Sequence, residues 1–203
     1  FSPMAALSYA INDDASVYIS VAEGFRSGGS NRPTASTEAS IPYDPETVRT
    51  YELGAKALLL DGRLSTETAL FYTQYEDYQA RDETLSSTSS RIIVLLNPGE
   101  VEMQGLEFSS QLSLSEQFSI GLSGHYIETE FVKISDANSP FALGDPVNYT
   151  PKYSVSLNTK FTFEGPMGAE GVALLDYNQQ GGSSFIATQT FRGESETLGQ
   201  LGA

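Results

Sequence analysis

The sequence predicts an all-β protein, an antiparallel transmembrane β-barrel built from about eight strands that belong to a larger barrel. Three observations predict it. Apolar and polar residues alternate with a period of two, as on the two faces of a strand. Several of these segments reach the roughly 9–11 residues that a strand needs to cross a bilayer. The connections between them alternate between short and long, as in membrane barrels with tight turns on one side and loops on the other.

The composition excludes several classes of site. The chain has 203 residues, with 11 Lys and Arg against 26 Asp and Glu, and a formal net charge of −15. That balance argues against a nucleic-acid partner, because phosphate binding needs a clustered cationic surface. There is no cysteine, which excludes disulfides, zinc–thiolate sites and a cysteine nucleophile. No run approaches the 18 or so apolar residues of a transmembrane helix.

The two ends of the sequence carry the same pattern as its middle. Residues 1–10 have no basic start and no continuous apolar core, so they do not resemble a signal peptide. Recognisable alternation is already under way at residue 1 and continues near residue 203. We therefore expect the sequence to be a piece cut from a longer protein, and not stable as a monomer in water without its neighbouring strands.

The alternation places eight strands in order along the chain. It is cleanest in residues 152–163, where apolar residues fall mainly on odd positions and polar residues on even ones. The predicted strands are 2–11, 16–28, 47–60, 63–80, 99–114, 118–133, 152–164 and 172–186. The predicted short connections are 12–15, 61–62, 115–117 and 165–171. The predicted long connections are 29–46, 81–98, 134–151 and 187 onward.

Tyrosines lie on the apolar faces, near strand ends, at Tyr9, Tyr51, Tyr72, Tyr126 and Tyr153. An amphipathic ring is suited to the boundary between lipid and water, so we predict that they form an aromatic girdle. The alternative is that tyrosine is simply a good strand former.

Five segments resemble one family. Residues 17–29 read VYISVAEGFRSGG, and residues 43–56 contain PET followed by YELGAK. Residues 70–79 read LFYTQYEDYQ, residues 97–107 pair NPG with GLE, and residues 150–153 read TPKY. These segments, in this order, resemble motifs of the TonB-dependent outer-membrane receptors.

The resemblance implies a barrel of about 22 strands, filled by a separate N-terminal plug domain. Residues 1–203 would then be a partial barrel domain that covers the first eight of the last eleven strands, without the plug and the last strands. It further implies outer-membrane lipid as a partner, the cell outer membrane of a Gram-negative bacterium as location, and a TonB complex that acts through the plug. The solute would be large and scarce, such as a ferric siderophore, a corrinoid or an oligosaccharide. No cofactor and no catalysis are expected.

The family binds its ligands at the outer face, so the resemblance directs attention to the long connections. Arginine there would suit anionic ligands such as ferric chelates. The candidate ligand-binding residues are Arg26, Asn31, Arg32, Tyr43, Arg81, Arg91 and Tyr149.

The remaining motif residues are predicted to be structural. Gly54 and Gly105 fall on the polar, lumen-facing positions, where a missing side chain lets the plug or a neighbouring backbone approach. Glu52, Lys56 and Glu107 share that side and are interpreted as ladder or plug contacts.

Other kinds of site have weaker support. His125 is the only histidine, and we interpret it as a polar wall residue, although Ser123 shares its face. The carboxylates at 76, 77, 82 and 83, and at 100, 102 and 107, could in principle bind Ca²⁺, but their spacing matches no EF-hand loop. Three rival readings stay open: a small self-closed barrel with a structural or adhesion role, an outer-membrane barrel hydrolase, and a soluble β-sandwich.

Overall fold

The structure is a computed structural model, and it describes residues 1–31, 42–85, 91–135, 139–185, 191–192 and 197–202. Within these ranges, side chains are described outside residues 82–92 and 184–202 and apart from residue 167. The described residues form strands joined by turns, with a single 3-10 turn at Pro166–Gly168. None of the described helical residues forms a segment that is long and apolar enough to cross a membrane.

The strands are numbered in chain order. They are β1 Met4–Asn12, β2 Ala15–Arg26, β3 Gly29–Ser30, β4 Pro42–Tyr43, β5 Glu46–Leu59, β6 Leu64–Glu76, β7 Ala80–Leu85, β8 Arg91–Leu96, β9 Gly99–Ser113, β10 Phe118–Ile134, β11 Tyr153–Glu164, β12 Glu170–Gln180, β13 Ser184–Phe185, β14 Phe191–Arg192 and β15 Thr197–Gly202.

Nine of these strands form one antiparallel sheet in the order β1-β2-β5-β6-β9-β10-β11-β12-β15. Each main strand therefore lies beside its neighbour along the chain. Strands β1 and β15 are the two edges, and in the described part of the chain they do not pair with each other. This open order does not match a small self-closed barrel. The pairs β3–β4, β7–β8 and β13–β14 are separate short ladders within the long connections.

Most of the predicted strands and connections are confirmed, and three differ. The predicted strand 172–186 ends at Gln180. The predicted strand 63–80 ends at Glu76, because Asp77 adopts the left-handed region with φ 52° and breaks the extended backbone. The chain resumes as β7 at Ala80. The predicted connection from 187 onward instead contains β15, which pairs with β12 from Leu174 to Gln179. The main sheet thus has nine strands where we predicted eight.

The short turns lie together at one end of the sheet, and the long connections lie at the other, which we call the long-loop end. Local chemistry explains the tight turns. The Asn12 side-chain oxygen accepts a hydrogen bond from the Asp14 N–H at 2.9 Å, an Asx turn that reverses the chain between β1 and β2. Leu60, Asp61 and Gly62 all have positive φ and close the turn between β5 and β6.

The sheet has an apolar face and a polar face. Residues that lie opposite each other on adjacent strands share a face, and one such row crosses seven strands. It consists of Leu7, Ile19, Leu53, Leu70, Leu106, Tyr126 and Tyr153. Leu53 and Leu70 are 54% and 53% exposed. Large apolar side chains therefore cover this face without any protein packed over them in the described part of the chain.

The height of the apolar face matches a membrane. On β11 it runs from Tyr153 to Phe163, or about 34 Å at roughly 3.4 Å per residue. A strand tilt of about 40° reduces this to a height of roughly 26 Å, close to the ~25 Å apolar band of outer-membrane barrels.

Four of the five predicted girdle tyrosines lie in two adjacent rows near the long-loop end. Tyr51 and Tyr72 stack with ring centroids 6.4 Å apart, and Tyr126 lies opposite Tyr153 in the next row. Tyr9 pairs with Val17, one row nearer the short turns. The girdle itself stays a prediction.

The most buried side chains lie at the long-loop end, on the polar-face side. Val101 and Phe131 are each 1% exposed, and Phe141 and Val147 pack with them. The segment 139–151, which we call the inward loop, folds back along β10. The Phe131 N–H donates to the Asp145 carbonyl at 3.0 Å, and the Gly144 N–H donates to the Phe131 carbonyl at 2.9 Å. The inward loop thereby replaces β11 as the partner of β10 beyond the membrane-height part of the sheet.

Candidate functional site

A cavity of ≈ 390 Å³ lies at the long-loop end, between the ends of the strands and the inward loop; we call it the outer cavity. Its lining residues are Arg26, Tyr78, Gln79, Ala80, Arg81, Leu95, Phe131, Phe141, Asn148 and Tyr149. The structure thus brings together three of the seven candidate ligand residues, Arg26, Arg81 and Tyr149. It does so on one surface, although they come from three different segments and Arg26 and Tyr149 are 123 residues apart in the chain.

Aromatic rings form one wall of the outer cavity. Phe131 stacks on Phe141 with centroids 4.8 Å apart, and Tyr78 meets Phe131 edge to face at 5.9 Å. Burial raises the pKa of Tyr78 to about 12, with a further contribution from the nearby Glu46 carboxylate. The phenol therefore stays protonated at neutral pH and keeps its O–H as a donor. The wall combines flat apolar area with a polar tip.

Arg26 supplies positive charge to the outer cavity and forms an ion pair with the buried carboxylate of Glu46. It is the last residue of β2 and lies opposite Glu46, the first residue of β5. An Arg26 guanidinium nitrogen lies 3.7 Å from the Glu46 carboxylate, whose side chain is 4% exposed, whereas the Arg26 side chain is 59% exposed. The other carboxylate oxygen accepts the Gln79 N–H at 2.7 Å. The buried acid orients the arginine without covering it.

Side-chain amides tie the first two long connections together. The Gln79 side-chain nitrogen donates to the carbonyls of Ser27 and Asp44, each at 3.0 Å. The Asn97 side-chain nitrogen donates to the carbonyls of Asp44 at 3.1 Å and Asp77 at 2.6 Å. Its oxygen accepts the Asp44 N–H at 2.7 Å. Residues from four of the five resembling segments therefore meet here.

Asn31 makes the same kind of contact. Its side-chain nitrogen donates to the Leu95 carbonyl at 2.9 Å, and its oxygen accepts the Leu95 N–H at 2.8 Å. Asn31 thus holds a residue of the cavity wall and does not itself line the outer cavity.

The other three candidates have different outcomes. The Tyr43 ring covers Gly29, where an added Cβ would lie 2.5 Å from the Tyr43 hydroxyl, and Tyr43 does not line the outer cavity. Arg91 begins β8, and its side chain is outside the described part of the chain. Arg32 lies outside the described residues altogether.

Sequence reasoning missed most of the aromatic wall. Phe131 occupies a position that otherwise carries polar side chains, near the end of β10. Tyr75 does the same near the end of β6, and it packs edge to face on Tyr78 behind the aromatic wall. This break in the alternation is the signal that the sequence offers. Tyr149 has φ 63°, in a region that side chains other than glycine rarely adopt. Such outliers concentrate at functional sites.

On the polar face of the main sheet, which we call the barrel wall, aromatic rings pack over glycines of neighbouring strands. Hydrogen bonds from hydroxyl groups and ion pairs connect other side chains on this face. A Cβ at Gly54 would lie 2.2 Å from the Tyr18 ring, and one at Gly105 would lie 2.4 Å from the Tyr126 carbonyl and 2.7 Å from the Phe71 ring. The two glycines therefore admit rings and backbone of neighbouring strands. The Tyr18 hydroxyl donates to Glu52 at 2.6 Å.

Charges on this face partly pair. Lys56 forms an ion pair with Glu67 on the next strand. Glu107 lies opposite His125, and Ser154 lies opposite His125 on its other side, with its hydroxyl 3.2 Å from His125 Nδ1. Which side chains lie opposite each other depends on the register between the strands, and the sequence does not predict that register. Ser154 pairs with strands on both sides, so the backbone donors that an oxyanion hole needs are committed to the sheet.

Carboxylates on the opposite face do not gather into a metal site. Glu100 binds the Lys133 ammonium group instead. Across the described residues, no three His, Asp or Glu side chains converge in an arrangement that could hold a metal ion.

Comparisons with known proteins agree on one family. The family model described as "TonB dependent receptor-like, beta-barrel" matches residues 1–200. The chain is similar to the pesticin receptor of Yersinia pestis, with 29% identity over 162 residues, which is 79% of this chain and 22% of that protein. It is also similar to the metal-pseudopaline receptor CntO of Pseudomonas aeruginosa, with 28% identity over 178 residues, 87% of this chain and 23% of that protein.

Solved structures show the same fold. The ferric yersiniabactin uptake receptor FyuA from Yersinia pestis superposes with a TM-score of 0.77 at 22% identity, over 97% of this chain and 28% of that one. The ferripyoverdine receptor of the outer membrane of Pseudomonas aeruginosa superposes with a TM-score of 0.66 at 21% identity, over 98% of this chain and 26% of that one. The chain spans little more than a fifth of the length of the curated relatives it matches.

Proposed function

The chain belongs to the TonB-dependent receptor β-barrel family, and from that premise we propose that it forms part of an outer-membrane receptor for energy-coupled uptake of a large solute such as a ferric siderophore. One observation carries the proposal. A sheet with a continuous exposed apolar face ends, on its long-loop side, in a cavity with arginine and aromatic side chains. The first feature suits a membrane wall, and the second suits capture of a ligand at the outer surface.

The apolar face would contact the lipid of the outer membrane of a Gram-negative bacterium. Its height of roughly 26 Å supports this placement. The polar face would then line the lumen, where Glu52, Lys56 and Glu107 meet water or a separate plug domain. Residues 1–203 would form one partial barrel domain, completed by strands and a plug elsewhere in the receptor.

The outer cavity would bind an anionic chelate. Arg26 and Arg81 offer guanidinium donors that pair well with carboxylate, phenolate or catecholate oxygens. The Tyr78 phenol and the stacked Phe131 and Phe141 rings offer a flat apolar surface for an aromatic or heterocyclic part of the ligand. The names of the similar receptors, for ferric yersiniabactin, ferripyoverdine and metal-pseudopaline, support a metal chelate as the solute.

Transport would need no chemistry on the solute. The wall holds the cavity at the outer surface, and a TonB complex would supply energy by acting on the plug. We propose no catalytic residue and no cofactor for this chain.

The test uses the full-length receptor in a Gram-negative host whose own ferric siderophore receptors are deleted. Uptake of ⁵⁵Fe is measured from a catecholate, a phenolate–thiazoline and a pyoverdine chelate. We expect at least one chelate to support uptake, and a protonophore to abolish accumulation while surface binding persists. Replacing both Arg26 and Arg81 by alanine should weaken binding about a hundredfold or more, since each charged hydrogen bond contributes roughly 1.5–3 kcal/mol.

Arg63→Ala is the matched control, because Arg63 lies at the short-turn end of the sheet and donates to the Leu60 carbonyl. It should leave binding unchanged. Uptake of no chelate by a correctly inserted receptor, or uptake that ignores the protonophore, would contradict the proposed function.

A further inference from the structure

Part of the lining of the outer cavity comes from two long connections whose backbone is not hydrogen-bonded into the main sheet. The connection between β2 and β5 carries Ser27, Asn31 and Asp44, and the connection between β6 and β9 carries Asp77, Gln79, Leu95 and Asn97. Their short ladders, β3–β4 and β7–β8, pair only within one connection. In the described parts of the two connections, the hydrogen bonds that join one connection to the other therefore involve side chains.

Three side-chain amides supply these contacts, and we call Asn31, Gln79 and Asn97 the amide clasp. Each makes two or more hydrogen bonds to backbone groups, between 2.6 and 3.1 Å long. Asn31 and Gln79 each bond the backbone of the opposite connection. Asn97 bonds the opposite connection at Asp44 and its own at Asp77. A carboxamide reproduces the donor and acceptor of a peptide group, so the clasp acts as a short ladder between segments that do not pair.

The bonded backbone groups lie at the lining of the outer cavity. Asn31 holds Leu95, which lines the cavity itself. Gln79 holds Ser27, the residue after Arg26. Asn97 holds Asp77, the residue before Tyr78, and the Tyr78 N–H donates to the Gly99 carbonyl at 2.9 Å. Each clasp residue thus fixes the backbone at a lining residue or beside one.

Because Gln79 is buried, its position requires a side-chain amide and would not accept a carboxylate of the same shape. Gln79 is 4% exposed, and its N–H bonds the buried Glu46 carboxylate. A carboxylate in place of the Gln79 amide would face the Ser27 and Asp44 carbonyls without a proton to donate. An unpaired charge in such a place is costly. The clasp therefore depends on the two N–H donors of the amide, and a side chain of the same shape without them would leave the carbonyls unpaired.

We propose that the amide clasp joins the two connections into one unit and positions Arg26, Tyr78 and Leu95 for binding at the outer cavity. Asn31, Gln79 and Asn97 are positioning residues that act through the backbone of the lining. Because Gln79 also lines the outer cavity itself, Asn97→Asp is the variant that separates positioning from a direct effect on the ligand. The inference rests on the proposed function only for what the cavity binds; the coupling between the two connections is independent of any ligand.

The test compares Gln79→Glu and Asn97→Asp in the full-length receptor in detergent micelles, by hydrogen exchange and mass spectrometry. Both changes keep the shape of the side chain and remove its donors. We expect exchange to rise about tenfold or more in the opposite connection, at residues 27–31 and at Tyr43 and Asp44, because two donated hydrogen bonds are lost. Residues 42 and 45 are prolines and have no N–H to exchange. Exchange within the main sheet should not change, which shows that the barrel is intact.

Two controls carry the same chemical changes elsewhere. Asn12→Asp keeps the acceptor that its turn uses, and Gln104→Glu alters an exposed residue on the apolar-face side of β9. Neither should change exchange at 27–31 or at Tyr43 and Asp44. If the clasp variants raise exchange only around their own positions, or not at all, the proposed coupling is wrong.

The second readout is binding of the anionic ferric complex of 2,3-dihydroxybenzoate, measured by titration of tyrosine fluorescence. We expect both clasp variants to weaken binding at least fivefold, while the controls bind as the unchanged receptor does. Equal binding with raised exchange would overturn the positioning role. If the unchanged receptor does not bind this complex, that result counts against the anionic-chelate proposal, and the exchange measurement alone decides the clasp.

Discussion

The membrane-height wall and the long-loop end of this chain are stabilised by different means. In the wall, adjacent strands pair residue by residue with almost no irregularity, and most side chains remain accessible on one face or the other. At the long-loop end the ladders shorten, and buried rings, a buried carboxylate and the amide clasp connect segments far apart in sequence. The wall therefore depends mainly on backbone pairing, whereas the outer cavity depends on individual side chains. Removing a single side chain should therefore disturb the second region more than the first.

The largest effect is expected at the core beneath the outer cavity. Phe131→Ala removes a ring that is 1% exposed and stacked on Phe141. We expect the free energy that holds the inward loop against β10 to fall by about 3–5 kcal/mol. Hydrogen exchange of residues 139–151 in the full receptor measures it. Phe161→Ala, on the apolar face, is the control and should leave this segment unchanged; equal exchange in both variants would refute the distinction between the two regions.

The next largest effect tests which face of the sheet contacts lipid, by placing the same charge at two neighbouring residues that lie on opposite faces. Leu122 lies on the apolar face midway along the membrane-height part of β10, and Ser123 lies on the polar face. We expect Leu122→Arg to lower the folding free energy in a phospholipid bilayer by about 2–4 kcal/mol, because lipid would have to solvate the charge. Ser123→Arg should change it by less than ~1 kcal/mol. A guanidinium titration of both variants compares them, and a reversed order would show that the faces are assigned the wrong way round.

A smaller effect tests whether Gly54 is needed because its missing side chain leaves room for the Tyr18 ring. A Cβ at Gly54 would lie only 2.2 Å from the Tyr18 ring, so Gly54→Ala must displace that ring. We expect a loss of about 1–3 kcal/mol of folding free energy. The loss should shrink when Tyr18 is also alanine, and a double-mutant cycle measures this coupling. Additive losses would mean that the ring does not occupy the space left by Gly54.

The smallest effect concerns the ion pair on the wall. The Lys56 and Glu67 side chains are 56% and 49% exposed. We expect Lys56→Met to change the folding free energy by about 0–1 kcal/mol, with the difference lost in high salt. Denaturant midpoints at low and high salt provide the measurement. A loss above ~2 kcal/mol that persists in salt would show that the pair is desolvated in the complete receptor.

The sequence was sufficient to predict the wall, because a strand and its turn are encoded locally. Alternation predicts eight of the nine main strands, and the turn after Asn12 lies within the predicted short connection 12–15. The ninth strand, β15, lies in the segment that the sequence predicts to be a connection. Register was not predictable, since a shift of a single residue changes every cross-strand pair. The contact between His125 and Ser154 therefore emerged only from the structure.

The candidate site was predicted in part, and the reason is distance along the chain. Arg26, Arg81 and Tyr149 were selected because polar and aromatic residues in long connections suit ligand capture, and they do line one cavity. The sequence presents Gln79 and Asn97 only as members of two of the resembling segments. Their partners lie up to 53 residues away, and no local pattern reports such contacts.

The placement of the amide clasp has a consequence for how relatives of this receptor can diverge. Asp44, Gln79 and Asn97 bind at the bases of their connections, close to where β2, β5, β6 and β9 begin or end. Residues inserted farther out add only slowly to the entropy of closing each loop. The outermost segments of the two connections can therefore be lengthened, shortened or replaced in a lineage, while the clasp at their bases keeps the same cavity open.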